Sequence, residues 1–158
     1  MEGLDDLIER FDHVAYGVRD IRACLPLMEL LGGRFHQGAD HSRNGFRWVQ
    51  FRLPGGGLIE LLQPIDPGSF LNGFLDRRGE GIHHLTFKVV DVVRAAERAS
   101  SLGYSTTGLH LHPDWSEVFL RPQTAHGAVI QLAAWSDDNP KFGETLEQVL
   151  SGACRDET

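Results

Sequence analysis

The sequence predicts an α+β fold, two βαβββ modules related by a pseudo-twofold duplication that roll a mixed sheet around one cleft. Three observations predict it. The segment Phe11-Asp12-His13-Val14-Ala15-Tyr16-Gly17-Val18 returns as Ile82-His83-His84-Leu85-Thr86-Phe87-Lys88-Val89, a shift of 71 positions (84 − 13). The same shift carries Leu58-Ile59-Glu60-Leu61 onto Val129-Ile130-Gln131-Leu132. Between these anchors both copies pass through an aspartate (Asp20, Asp91) and an apolar helical stretch to Leu-Gly (Leu31-Gly32, Leu102-Gly103). A long period that occurs only twice is a duplicated domain, since solenoids need more repeats to bury their faces.

Residues 1–10 are polar and read as a short lead-in helix or loop. The first module spans 11–64. Its opening strand, Phe11–Val18, alternates: Val14, Tyr16 and Val18 line a face that can receive a helix, and His13, Ala15 and Gly17 line the other, with open space above the small residues. Asp20 is placed to cap a helix that carries Ile21, Cys24, Leu25, Met28 and Leu31 at helical spacing. Pro26 requires that helix to start late or bend, and Gly32-Gly33 ends it. A short strand at 34–37, a polar connection at 38–45, and strands at 46–53 and 58–63 around Pro54-Gly55-Gly56-Gly57 complete the module.

The segment 65–81 reads as a linker rich in Pro and Gly, with a helical turn or two around Phe70–Leu75. The second module, 82–135, repeats the plan, with Val92, Ala95, Ala96, Ala99 and Leu102 as its helix stripe. Short strands are expected near 104–107, 115–121 and 128–134. The rest, 136–158, predicts a helix opening at Pro140, whose Phe142, Leu146, Val149 and Leu150 form an apolar side that would dock on the body or on a second subunit, followed by a disordered tail.

Composition narrows the class. A net charge of −7 argues against nucleic acid, which selects basic faces. No apolar run reaches the length of a membrane span. The acidic start, Met1-Glu2-Gly3-Leu4-Asp5-Asp6, lacks the basic-then-apolar order of a secretory leader, and Cys24 and Cys154 suit a reduced compartment. A cytoplasmic protein acting on a small molecule is the expectation.

The chemistry concentrates in His13, Glu60, His84 and Gln131. Each module supplies a first-strand and a last-strand residue 47 positions apart (60 − 13 and 131 − 84). Paired about the pseudo-twofold axis, two imidazoles, a carboxylate and an amide oxygen form a mixed donor set for one divalent ion: Co, Ni, Mn, Zn or Fe. The competing reading is a duplicated scaffold whose polar cleft holds no metal.

Phe-Asp-His-Val-Ala, Ile-Glu-Leu-Leu-Gln-Pro, Gly-Ile-His-His-Leu-Thr-Phe-Lys-Val and Ala-His-Gly-Ala-Val-Ile-Gln-Leu together resemble the vicinal oxygen chelate superfamily. This group includes glyoxalase I, methylmalonyl-CoA epimerase, extradiol dioxygenases and bleomycin-resistance binders. The similarity runs from Phe11 to Trp135 and is greatest to the epimerase and glyoxalase I branch. It implies that His13, Glu60, His84 (not its neighbour His83) and Gln131 hold a metal. It also implies an isomerase or lyase in which that metal chelates substrate oxygens and stabilises an enolate while a base moves a proton.

Two departures stand out. Gln131 occupies a position that is commonly Glu, and an amide accepts no proton. The strand 46–53 lacks the carboxylate that the epimerases use there. Glu60, already placed at the metal, is therefore the expected catalytic base, ahead of Asp40, His41 and Glu117, with His110, His112 and Asp114 read as surface groups.

Arg47, Trp48, Trp115 and Glu117 are the expected substrate-binding residues. Arg47 and Arg52 could grip a carboxylate or phosphate or be rim charges, and the tryptophans could wall the cleft or pack in the core. A homodimer is expected by the same resemblance. The alternative function is a non-catalytic protein that sequesters a small molecule on the same frame; a dioxygenase is disfavoured by Gln131.

Overall fold

The computed structural model describes residues 3–158. Among them run β1 (Ile8–Gly17), α1 (Ile21–Leu30), β2 (Arg34–His41), a 3-10 turn at Ser42–Asn44, β3 (Phe46–Arg52), β4 (Leu58–Pro64) and α2 (Phe70–Arg78). Then come β5 (Gly81–Val89), α3 (Val92–Ser101), β6 (Thr106–His110), β7 (Ser116–Leu120), β8 (Ile130–Ala134), α4 (Leu146–Leu150) and β9 (Arg155–Asp156). The predicted βαβββ order is thus present twice, as β1-α1-β2-β3-β4 and β5-α3-β6-β7-β8. No helix among the described residues is long and apolar enough to cross a membrane.

The chain divides into two compact units, and the division falls inside β1. One unit joins the chain up to His13 with His84–Asn139; the other joins Val14–His83 with Pro140–Thr158. In the first, the strand order is β6-β7-β8-β5-β1. Its core packs α3 on the sheet through Val92, Ala95 and Ala99 against Val118, Leu120 and Leu132. Alanines on the helix stripe let backbone and sheet approach closely. Leu7 seals the end of this core, which is why the chain before residue 11 is not a loose lead-in: a turn delivers Leu4 and Leu7, and β1 begins at Ile8.

In the second unit the order is β1-β4-β3-β2-β9. One face packs Ile21 and Met28 of α1 on Val49, Phe51, Ile59 and Leu61. Asp20 caps α1 by accepting from the Arg22 amide, and Asp91 caps α3 by accepting from the Arg94 amide, so the repeat extends to its helix caps. Pro26 lies within α1, five residues past its start, so the helix runs through the proline with one backbone donor fewer.

The other face departs from expectation. The space above Ala15 and Gly17 is filled: α2 seats Leu71 beside Ala15, Trp48 and Leu62, and a Cβ on Gly17 would lie 2.7 Å from the Phe74 ring. The linker therefore supplies a nine-residue helix as a lid for the small residues.

The C-terminal segment departs further. The Phe142 carbonyl accepts from the Gly38 amide at 3.0 Å, that of Cys154 from Asp40 at 2.9 Å, and β9 adds to β2 in parallel. This outer pairing extends β2 to His41, where composition predicts a polar connection. The tail is ordered, and α4 is a short helix with a Thr145–Gln148 capping box rather than a long one from Pro140. Its apolar residues Val149 and Leu150 pack in the core of this unit, so of the two expected dockings this side takes the one on the body.

Gly38 marks the tightest point: a Cβ there would sit 2.5 Å from the Trp48 carbonyl oxygen and 3.1 Å from Val149. Gly38→Ala should force β2 from β3 and cost about 2–3 kcal/mol, a Tm lower by roughly 4–12 °C in thermal unfolding.

The ladders also refine the repeat. Phe51 pairs with Ile59, and Leu120 with Ile130, so β7 lies 69 positions (120 − 51) after β3, although β8 lies 71 after β4. The longer second hairpin absorbs the two extra residues. On this register Glu117 corresponds to Trp48, and Phe119 to Gln50.

Candidate functional site

In the first unit, β5 and β8 run side by side with Thr86 opposite Gln131. Alternation puts His84, Thr86 and Lys88 on the face away from α3. His13 and His84 lie on this face with rings 5.9 Å apart, and His84 meets the edge of Phe119 at 6.0 Å. Both histidines, Thr86 and Gln131 are buried.

Their hydrogen bonds determine which atoms are presented. Glu117 on β7 accepts from Gln131 Nε2 at 2.6 Å and from Trp115 Nε1 at 3.0 Å, both on Oε2. A carboxylate only accepts, so the Gln131 amide must turn Oε1 the other way, where Thr86 Oγ1 lies at 2.6 Å. Thr86 Oγ1 is also 3.0 Å from His13 Nε2. On the opposite side of that ring, Asp12 Oδ2 sits 2.8 Å from Nδ1, which keeps a proton there and aims Nε2 at Thr86. His13 Nε2 and Gln131 Oε1 thus face one hydroxyl. A divalent cation takes both lone pairs at once, so the donor set suits a metal.

Along an ideal strand Asp12 would point to the face opposite His13. It nevertheless reaches its neighbour, and Arg10 Nε holds its other oxygen at 3.0 Å. Burial alone would raise the Asp12 carboxyl; the hydrogen bond and charge of His13, then those of Arg10, outweigh it and hold it below its ordinary value. The carboxylate is therefore available to orient the imidazole.

Farther along the face, Trp115 stacks on Trp135 at 4.9 Å, and Lys88 Nζ lies 5.3 Å from the Trp135 ring centre. Lys88 is buried and bonded to Glu9 and Asp137, each at 2.9 Å. Hydrogen bonds from Arg10 and then Lys88 pull Asp137 down to about 2. A lowered carboxyl stabilises the fold in full above its unfolded value of 3.8 and loses that contribution as pH falls toward 2. Asp137 is 62% exposed, so the effect is screened. Asp137→Asn should lower Tm by about 1–3 °C at pH 7, a gap that closes as both proteins are melted at pH values approaching 2.

In the second unit, Glu60 on β4 is opposite Gln50 on β3, and both are buried. Gln50 Nε2 donates to Glu60 Oε1 at 3.0 Å, and Gln37 Nε2 donates to Gln50 Oε1 at 3.0 Å. Trp48, on the same face, is a core aromatic: its Nε1 donates to Asp156 at 3.2 Å and its ring abuts Phe142.

Arg47 corrects an expectation. Its guanidinium is taken up by both Asp40 oxygens, at 2.6 and 2.9 Å, and by the Leu150 carbonyl at 2.7 Å. This happens on the β3 face shared with Val49 and Phe51, away from Glu60, so the same pair commits Asp40 as well. Arg52 reaches His36 at the surface. His83 packs between Phe70 and Phe74; burial pushes its pKa down although the Glu60 charge opposes this.

The structure thus brings His13, His84, Gln131, Glu117 and Trp115 together in one unit and holds Glu60 by amides in the other. Asp12, Thr86, Gln37 and Gln50 are partners that motif spacing does not reveal.

The chain is similar to known proteins along most of its length. Residues 12–119 match the glyoxalase/bleomycin resistance protein/dioxygenase superfamily. An ethylmalonyl-CoA/methylmalonyl-CoA epimerase of Cereibacter sphaeroides is 30% identical over 135 residues, covering 80% of this chain and 98% of that protein. Among solved structures, methylmalonyl-CoA epimerase from Mycobacterium tuberculosis superposes with a TM-score of 0.74 at 27% identity, over 82% of this chain and 90% of that one. A variant of the Streptomyces coelicolor methylmalonyl-CoA epimerase, in complex with 2-nitronate-propionyl-CoA, shares the fold with a TM-score of 0.71 at 22% identity, over 82% and 99% of the two chains. With its twofold βαβββ order and a family match over residues 12–119, the chain belongs to the glyoxalase/bleomycin resistance protein/dioxygenase superfamily.

Proposed function

We propose that the protein is an epimerase acting at the α-carbon of an acyl-CoA thioester, assisted by one divalent cation held by His13, Glu60, His84 and Gln131. His13, Glu60 and His84 each offer an atom of the kind such an ion takes. The observation that carries the reading is that His13 Nε2 and Gln131 Oε1, a nitrogen and an oxygen of the kinds a divalent ion takes, face the same Thr86 hydroxyl. The substrate class comes from the epimerase relatives, one of which is 30% identical.

When bound, the ion supplies positive charge where a substrate oxygen becomes negative. The chain's own residues do the rest. Glu60 takes the α-proton; the C–H electron pair moves into the adjacent carbonyl and forms an enolate. Inversion needs the proton returned on the opposite side of the carbon, and Glu117 is the second carboxylate assigned to that step. Both its hydrogen bonds fall on Oε2, so Oε1 is the atom through which a proton would pass in that step. Gln131 accepts no proton and serves as an oriented oxygen donor.

The test is proton NMR of methylmalonyl-CoA in D2O with metal-loaded protein. Loss of the α-hydrogen signal with inversion of configuration is expected. An α-hydrogen that persists at its unassisted rate, with stoichiometric metal bound, would contradict the assignment.

A further inference from the structure

Glu60 is held from one side by a directional row of amides. The Phe142 backbone amide lies 3.4 Å from Gln37 Oε1; Gln37 Nε2 donates to Gln50 Oε1 and Gln50 Nε2 to Glu60 Oε1, each at 3.0 Å. A backbone N–H only donates and a carboxylate only accepts. With a donor fixed at one end and an acceptor at the other, neither glutamine can flip without breaking the row.

The row is built by two irregular features. The β2–β3 register shifts between Phe35 and Gln37, and the shift places Gln37 opposite Gln50; bulges commonly re-aim a side chain in this way. The C-terminal segment returns along β2, tied at Gly38 by the Phe142 carbonyl at 3.0 Å, and so delivers the anchoring amide. Gln50 is buried on a face that also carries Trp48 and Leu62, where an apolar residue would pack without needing partners. Its amide is instead bonded on one side to Gln37 and on the other to Glu60.

Resting on the metal reading above, we infer that Gln50 and Gln37 are positioning residues. They fix Oε1 of Glu60 and turn Oε2 toward the ligand, and the C-terminal segment anchors them. Outer partners of this kind typically set metal affinity by about 10–100-fold.

The experiment is titration of the metal-free full-length protein with Co²⁺, followed by d–d absorbance, for wild type, Gln37→Met, Gln50→Met, the double variant and Glu60→Ala. Methionine keeps the length and volume of glutamine, and urea unfolding checks that each protein is folded. Gln50→Met should weaken Co²⁺ about 10–100-fold. Gln37→Met should weaken it less, and the double variant should match Gln50→Met, because Gln37 acts through Gln50. Gln50→Met within about twofold of wild type, or losses that add in the double variant, would overturn the relay while a loss in Glu60→Ala keeps the metal reading. Glu60→Ala binding like wild type would overturn both.

Discussion

Glu60→Gln is expected to slow α-proton exchange by about 10²–10⁴-fold while leaving the chain folded. The replacement keeps shape and an oxygen for the Gln50 amide to bond, now 3.0 Å from Glu60 Oε1. It removes the one property that the proposed step uses, the capacity to take a proton. Because an amide oxygen can still face a cation, metal binding should fall less than exchange does. Glu117→Gln separates the two halves of the reaction. Washout of deuterium should persist for the epimer whose proton Glu60 removes, and inversion should drop. Mass spectrometry of the recovered thioester reads the first quantity and chiral analysis the second. Equal loss of both in Glu117→Gln would assign that carboxylate to something other than proton return.

His84→Ala is expected to abolish tight metal binding, with a loss larger than the roughly 10–100-fold typical of an outer partner. The ring sits between His13 at 5.9 Å and Phe119 at 6.0 Å, so truncation leaves a buried gap and should cost about 1–3 kcal/mol in the metal-free protein. Thermal melts with and without Co²⁺ distinguish the two effects. At a free concentration 100 times its Kd, an ion stabilises the native state by about 2.7 kcal/mol. Wild type should gain that increment and His84→Ala should gain none at the same concentration. An equal gain in both proteins would remove His84 from the ligand set.

Much of this was legible because duplication writes the fold twice. The shift of 71 located the strands and the equivalent positions, including the helix caps Asp20 and Asp91, and it pointed to His84 over His83. What the repeat could not show lies outside it or across it. The C-terminal tail looks disordered by composition, and only the open edge of β2 gives Arg155 and Asp156 something to pair with. Helix α2 has weak amphipathic character as a sequence, and its place follows from the small residues it covers, Ala15 and Gly17.

At the site, residue type and spacing identified the ligand candidates but not their partners. Asp12 alternates away from His13 along an ideal strand, yet adjacent side chains on twisted β1 come within 2.8 Å. Gln37 reaches Gln50 only because a register shift displaces it, a local irregularity that periodicity averages away. The partners of Arg47 were hidden for the opposite reason. An arginine between aromatics on a strand looks like an anion grip, but its own face already supplies Asp40 and a helix-terminal carbonyl from Leu150.

The central claim is that these side chains hold a divalent ion, and metal analysis of protein purified without a histidine tag tests it most directly. The protein should be analysed as purified and again after incubation with Co²⁺, Ni²⁺, Mn²⁺ or Zn²⁺ and removal of the excess. About one ion per chain is predicted for wild type, with a marked fall in Glu60→Gln and none retained in His84→Ala. Wild type that retains no ion after any of these incubations would contradict the account and leave a small-molecule binder on the same frame.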